Sequence, residues 1–176
     1  MNAWLGAATL ALSPGCGGLP RTPTAVAPAD SIVLERTLCY GTCPAYRVSV
    51  TAGGRVSFLS LDPGDSARAA SDTISREKFG KLVSQAESLG FFTLPDTIAN
   101  DRALCPLRAT DHPTATLTLF RGARAKQVVD YHGCYARSDP SLSRVPILGQ
   151  LLLLEAQVDS VARSDRWIAA QPVRRR

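Results

Sequence analysis

Ala45-Tyr46-Arg47-Val48-Ser49-Val50-Thr51-Ala52-Gly53-Gly54-Arg55-Val56-Ser57-Phe58-Leu59-Ser60-Leu61 is the stretch that decides the fold class. Tyr46, Val48 and Val50 alternate with Arg47, Ser49 and Thr51, the period of a strand with one face buried. Gly53-Gly54 interrupts the pattern and Val56 and Phe58 resume it, which reads as a β-hairpin. A two-residue turn would set Val50 opposite Ser57. A three-residue loop, residues 52–54, sets Val50 opposite Val56 and Val48 opposite Phe58. Only the second keeps one apolar face, and a slip of one residue would turn every side chain over.

Working outward, Ile32 to Leu38 reads as a strand with Ile32, Leu34 and Leu38 on one side. Ser75 is placed as the N-cap of a helix in which Phe79, Leu82, Val83, Ala86 and Leu89 follow helical spacing, with Gly90 just past its end. Phe91 to Leu94 reads as a short strand, and residues 96–113 look irregular. Thr114 to His132 is a second hairpin with its tip near Gly122. A three-residue loop, residues 122–124, pairs Leu117 with Val129 and Ala115 with Tyr131, and sends Asp130 and His132 to the solvent face. Residues 146–164 form the last helix, with Pro146 in its first turn and Ile147, Leu151, Leu154, Val158 and Val161 as its main stripe. Leu148 and Leu152 widen that stripe; Glu155 and Asp159 argue against a membrane span. The predicted fold is α+β: an antiparallel sheet from two β-hairpins plus an N-terminal strand, with two helices packed on one face. Leu117, Val129, Phe79, Leu151 and Leu154 should be buried together.

A chain of 176 residues, 45% hydrophobic and 20% charged, fits one globular domain with short tails. The formal charge of +5 includes Arg174, Arg175 and Arg176, and no basic stripe is interleaved with aromatics, so nucleic-acid binding is not expected. The composition reads as a monomer. No G-x-S-x-G, phosphate-cradling loop or H-E-x-x-H occurs, so no catalytic residue, metal or cofactor is assigned.

Trp4 to Leu12 is almost wholly apolar or small and too short to span a bilayer. Ser13-Pro14-Gly15-Cys16 follows, resembling a bacterial lipoprotein signal in which Cys16 becomes the lipidated first residue. No Lys or Arg precedes the run and Pro14 is unusual there; plain secretion is the alternative. The chain then divides into a signal segment (1–16), a Pro/Ala/Thr-rich tether (17–30), one domain (31–168) and a basic tail (169–176).

Cys39, Cys43, Cys105 and Cys134 lie in the body and form no C-x-x-C pair. An even number of body cysteines behind an apolar N-terminus suggests disulfides in an exported protein. Four cysteines allow three pairings. Cys39 and Cys43 sit at the two ends of a turn between adjacent strands, and Cys105 and Cys134 both flank the open end of the second hairpin. The local signals therefore favour Cys39–Cys43 and Cys105–Cys134.

Ile32-Val33-Leu34-Glu35-Arg36-Thr37 followed by Cys39-Tyr40-Gly41-Thr42-Cys43-Pro44-Ala45-Tyr46 resembles the opening of a widespread bacterial domain of unknown function, whose members are often exported proteins or lipoproteins. The resemblance continues through Gly53-Gly54, Ile74-Ser75, Phe91-Phe92, Thr110-Asp111-His112-Pro113, Asp130-Tyr131 and Trp167-Ile168. It implies export and a compact α+β domain, and no activity.

Asp111, His112, Asp130 and His132 are the acid and imidazole groups that converge in this reading. They could bind zinc or run acid–base chemistry. The plainer alternative makes Asp111 a turn residue and leaves Asp130 and His132 in solvent. The leading expectation is a non-enzymatic binding or structural module on a lipid anchor in the membrane of the cell envelope, with a protein or envelope polymer as partner. The alternative is a metal-dependent or acid–base hydrolase using Asp111, His112 and His132.

Overall fold

The computed structural model describes residues 30–64, 68–136 and 144–168. Cys16, the signal segment, almost all of the tether and the basic tail lie outside them. Eight strands and two helices follow in order: β1 (Ser31–Arg36), β2 (Tyr46–Thr51), β3 (Arg55–Ser60), β4 (Ala69–Thr73), α1 (Arg76–Ser88), β5 (Leu107–Arg108), β6 (Thr114–Arg121), β7 (Arg124–Tyr131), β8 (Cys134–Tyr135) and α2 (Pro146–Ala162). Six strands form one antiparallel sheet in the order β4-β3-β2-β1-β6-β7, and β5 pairs with β8 beside it. The fold is α+β, as the sequence predicts.

The first hairpin takes the three-residue loop, with Val50 opposite Val56 and Val48 opposite Phe58. Ile32, Leu34, Val48, Val50, Val56 and Phe58 all turn to the face that carries the helices and are buried. On α1, Ser75 accepts a hydrogen bond from the Lys78 backbone N–H, and Phe79, Leu82, Val83 and Ala86 face the core. No described helix is long and apolar enough to cross a membrane.

Several details differ from expectation. β1 stops at Arg36, and Leu38 beyond it is exposed. β4 is a polar edge strand, Ala-Ala-Ser-Asp-Thr, whose alternation carries no large apolar side chain to reveal it. Phe91–Thr93 is a 3-10 turn rather than a strand: Gly90 at φ +72 ends α1 and Thr93 Oγ1 donates to the Gly90 carbonyl. On α2 the buried stripe is Leu148, Leu151, Leu154, Glu155, Val158 and Ala162; Leu152 is exposed, and Ile147 and Val161 are half-buried. The helix is thus rotated relative to the all-apolar stripe, with a glutamate in its buried face.

The second hairpin has a two-residue turn, Gly122-Ala123, and its register is shifted by one. Leu117 faces Val128, Ala115 faces Asp130 and Thr116 faces Val129. Gly122, at φ +58, occupies the first central position of this turn, where a type II′ turn requires glycine. Asp30 fixes the tip, accepting from the Gly122 N–H at 2.7 Å and from Arg121 at 2.7 Å. The shift turns the return strand over: Val128 and Asp130 are buried, while Val129 and Tyr131 are half-buried on the other face. Asp130 is therefore not a solvent-face residue.

Candidate functional site

One row of side chains crosses the sheet at the C-terminal end of β1. Tyr46 on β2 pairs with Arg36 on β1, Arg36 with Ala115 on β6, and Ala115 with Asp130 on β7. Each continues the inward face of its strand, Arg36 after Ile32 and Leu34, Asp130 after Val128. Polar groups thus stand where the pattern expects core. Ala115 leaves room in the row, and α2 lays Glu155 and Asp159 over it, one helical turn apart.

These side chains are cross-bonded. Arg36 Nη1 donates to Glu155 Oε2 at 3.2 Å and Arg36 Nε to Asp159 Oδ2 at 2.9 Å. Tyr46 donates its hydroxyl hydrogen to Asp159 Oδ1 at 2.7 Å and accepts from Arg36 Nε at 3.1 Å. His132 Nε2 lies 2.9 Å from Glu155 Oε2 and 4.0 Å from Asp130 Oδ2. Arg144, just before α2, donates to Asp130 Oδ1. Asp130 is 1% exposed and Glu155 fully buried, while the His132 side chain is 16% exposed.

Burial sets the electrostatics. It pushes the Glu155 carboxyl upward, and His132 and Arg36 only partly reverse this. Burial and then the Asp159 carboxylate push the Tyr46 hydroxyl up, so it stays a donor. Burial alone would lower the Arg36 guanidinium, but Asp159 and Glu155 more than reverse it, and Arg36 stays charged.

Asp130 and His132, expected together from the sequence, are together. Asp111 and His112 are not part of the group, in which Asp130, His132 and Glu155 each bring one nitrogen or oxygen within 4.8 Å of the others. His112 Nε2 lies 3.2 Å from the Tyr135 hydroxyl, and its ring meets Tyr131 and Tyr135 edge-on. Asp111 sits exposed at φ +66 beside Thr110, a turn residue. Sequence reasoning missed Arg36, Tyr46, Glu155, Asp159 and Arg144. A signal existed for three of them: Arg36 and Tyr46 share the inward parity of their strands, and Glu155 falls at helical spacing from Leu148, Leu151 and Val158.

Both disulfides lie at this end of the sheet. Cys39–Cys43, with Cα atoms 5.4 Å apart, closes the loop between Arg36 and Tyr46. Cys105–Cys134, at 4.8 Å, ties down the chain two residues beyond His132, and both its cysteines are buried. These are the two pairs the local signals favoured, and they fit an oxidising compartment.

No curated protein matches the chain. A family profile matches residues 30–144, which hold Arg36, Tyr46, Asp130, His132, Arg144 and all four bonded cysteines, and stops just short of α2. The chain belongs to the family described as a domain of unknown function, DUF6438.

Proposed function

We propose that this protein is a non-enzymatic binding or structural module of the bacterial cell envelope, stapled by two disulfides and held by a lipid on Cys16 through the Pro/Ala/Thr-rich tether. The observation that carries the reading is the burial of the polar row. Its carboxylates and imidazole bond to guanidiniums and to each other, and they join β1, β2, β7 and α2. Two surface depressions lie elsewhere. One is lined by Lys78, Lys81, Leu82, Gln157, Ser160 and Val161, the other by Ala99, Asn100, Arg102, Cys105, Pro106 and Arg108. Both offer cations and amides suited to holding a partner, and neither lining pairs an acid with a base. The disulfides support export, and the apolar run before Cys16 supports the anchor.

Intact-mass analysis of the protein extracted from membranes of a bacterial host tests this. A mature chain beginning at Cys16 with added acyl mass is the expected result. A soluble product cleaved at another position would overturn the lipid anchor.

A further inference from the structure

In the polar row two buried carboxylate oxygens have no donor, and two buried donors of Arg144, Nε and Nη1, have no acceptor. Asp130 gives Oδ1 to Arg144 and leaves Oδ2 unpaired; Glu155 takes Arg36 and His132 on Oε2 and leaves Oε1 unpaired. A buried carboxylate oxygen left in this way is costly, by about 1–3 kcal/mol or more. Asp130 Oδ2 is the oxygen that faces His132, at 4.0 Å from Nε2. One ligand atom from each of Asp130, His132 and Glu155 lies within 4.8 Å of the other two.

We propose that Asp130, His132 and Glu155 hold one divalent transition-metal ion of the zinc class. A zinc ion bonded at about 2.0–2.2 Å to nitrogen and oxygen sets tetrahedral ligands about 3.4 Å apart. The 2.9 and 4.0 Å separations around His132 Nε2 bracket that edge. An imidazole with two carboxylates suits such an ion better than magnesium or calcium, which favour all-oxygen shells of six or more ligands. Arg144 holds the outer oxygen of Asp130 and orients that carboxylate, as outer groups do in metal sites, while Arg36 shares Glu155 Oε2 with His132. The site joins the end of β7 to the middle of α2, so metal would brace the helix against the sheet. It goes beyond the envelope module, and neither reading depends on the other.

The full chain with both disulfides formed is stripped with chelator, given zinc chloride and passed through gel filtration. The expected result is near one zinc per chain and a melting temperature that rises until one equivalent is added. His132→Ala and Glu155→Gln should each abolish retention, and His112→Ala should leave it intact. Should a variant fail to fold, cobalt chloride with the unaltered chain decides. Visible bands of a four-coordinate nitrogen–oxygen site support the proposal, and the spectrum of hydrated cobalt overturns it. Metal-free protein after gel filtration also overturns it, as does loss of zinc in His112→Ala to the same degree as in His132→Ala.

Discussion

The two hairpins have the same architecture and opposite contents. The β2–β3 hairpin turns Val48, Val50, Val56 and Phe58 inward; the β6–β7 hairpin turns Leu117 and Val128 inward and then Asp130, with His132 beyond the strand end. Apolar pattern alone is enough to set the register of the first. In the second it misleads, because Val129 and Tyr131 make the more apolar face of the return strand and yet point outward. The strand's buried carboxylate is bonded by Arg144, and His132, just beyond the strand end, bonds Glu155 of α2. Where the more hydrophobic face of a strand is not the core face, the polar residues facing inward mark the site.

The largest expected effects set the two hairpins against each other by truncation. Phe58 packs against Tyr46 and Trp167, with ring centroids 5.4 Å away in each case. Phe58→Ala should cost roughly 3–5 kcal/mol in urea unfolding. On the second hairpin, Val128→Ala should cost roughly 1.5–3 kcal/mol and Val129→Ala less than about 1. The reverse order for the two valines would restore the register in which Leu117 faces Val129.

The disulfides extend the comparison. Cys105–Cys134 closes a span of 29 residues behind the second hairpin, and Cys39–Cys43 closes one of 4 beside the first. In the chain-entropy model the longer link is worth roughly 3–4 kcal/mol and the shorter about 2. Replacing Cys105 and Cys134 with Ala should therefore lower the unfolding midpoint more than replacing Cys39 and Cys43. Equal losses would mean that the first link does more than close its loop, for instance by holding Arg36 and Tyr46 in the polar row.

What was legible in the sequence follows from the same physics. Regular apolar alternation disclosed β1, β2 and β3, and the Ser75 cap with its spaced apolar residues disclosed α1. β4 was not legible, because an edge strand of Ala, Ser, Asp and Thr buries too little to leave a pattern. Half of the site was visible, since Asp130 and His132 are two residues apart on one strand parity. The other half comes from α2, where Glu155 is read as a surface charge unless its position in the stripe outweighs its polarity. Long-range partners such as Arg36 and Asp159, 123 residues apart, become neighbours only through the strand order, which local pattern does not specify.

The two hairpin tips differ as well. Gly54 has φ +86, and a Cβ placed there would lie 2.2 Å from the Ile74 carbonyl oxygen. That carbonyl is backbone at the junction of β4 and α1, and the Gly54 carbonyl itself accepts from the Ile74 N–H at 2.8 Å. The tip cannot move without shifting the edge strand, so Gly54→Ala combines left-handed strain with a clash and should cost more than about 2 kcal/mol. Gly122 has φ +58, but a Cβ there would meet nothing within 4 Å. Gly122→Ala should therefore cost only the conformational strain, about 1 kcal/mol, with Asp30 still able to accept from the backbone N–H of residue 122. Parallel denaturant unfolding of the two variants checks the difference. A Gly122→Ala loss equal to that of Gly54→Ala would mean that the second tip is packed as the first is. The open two-residue turn, and the register that turns Asp130 inward, would then both have to be redrawn.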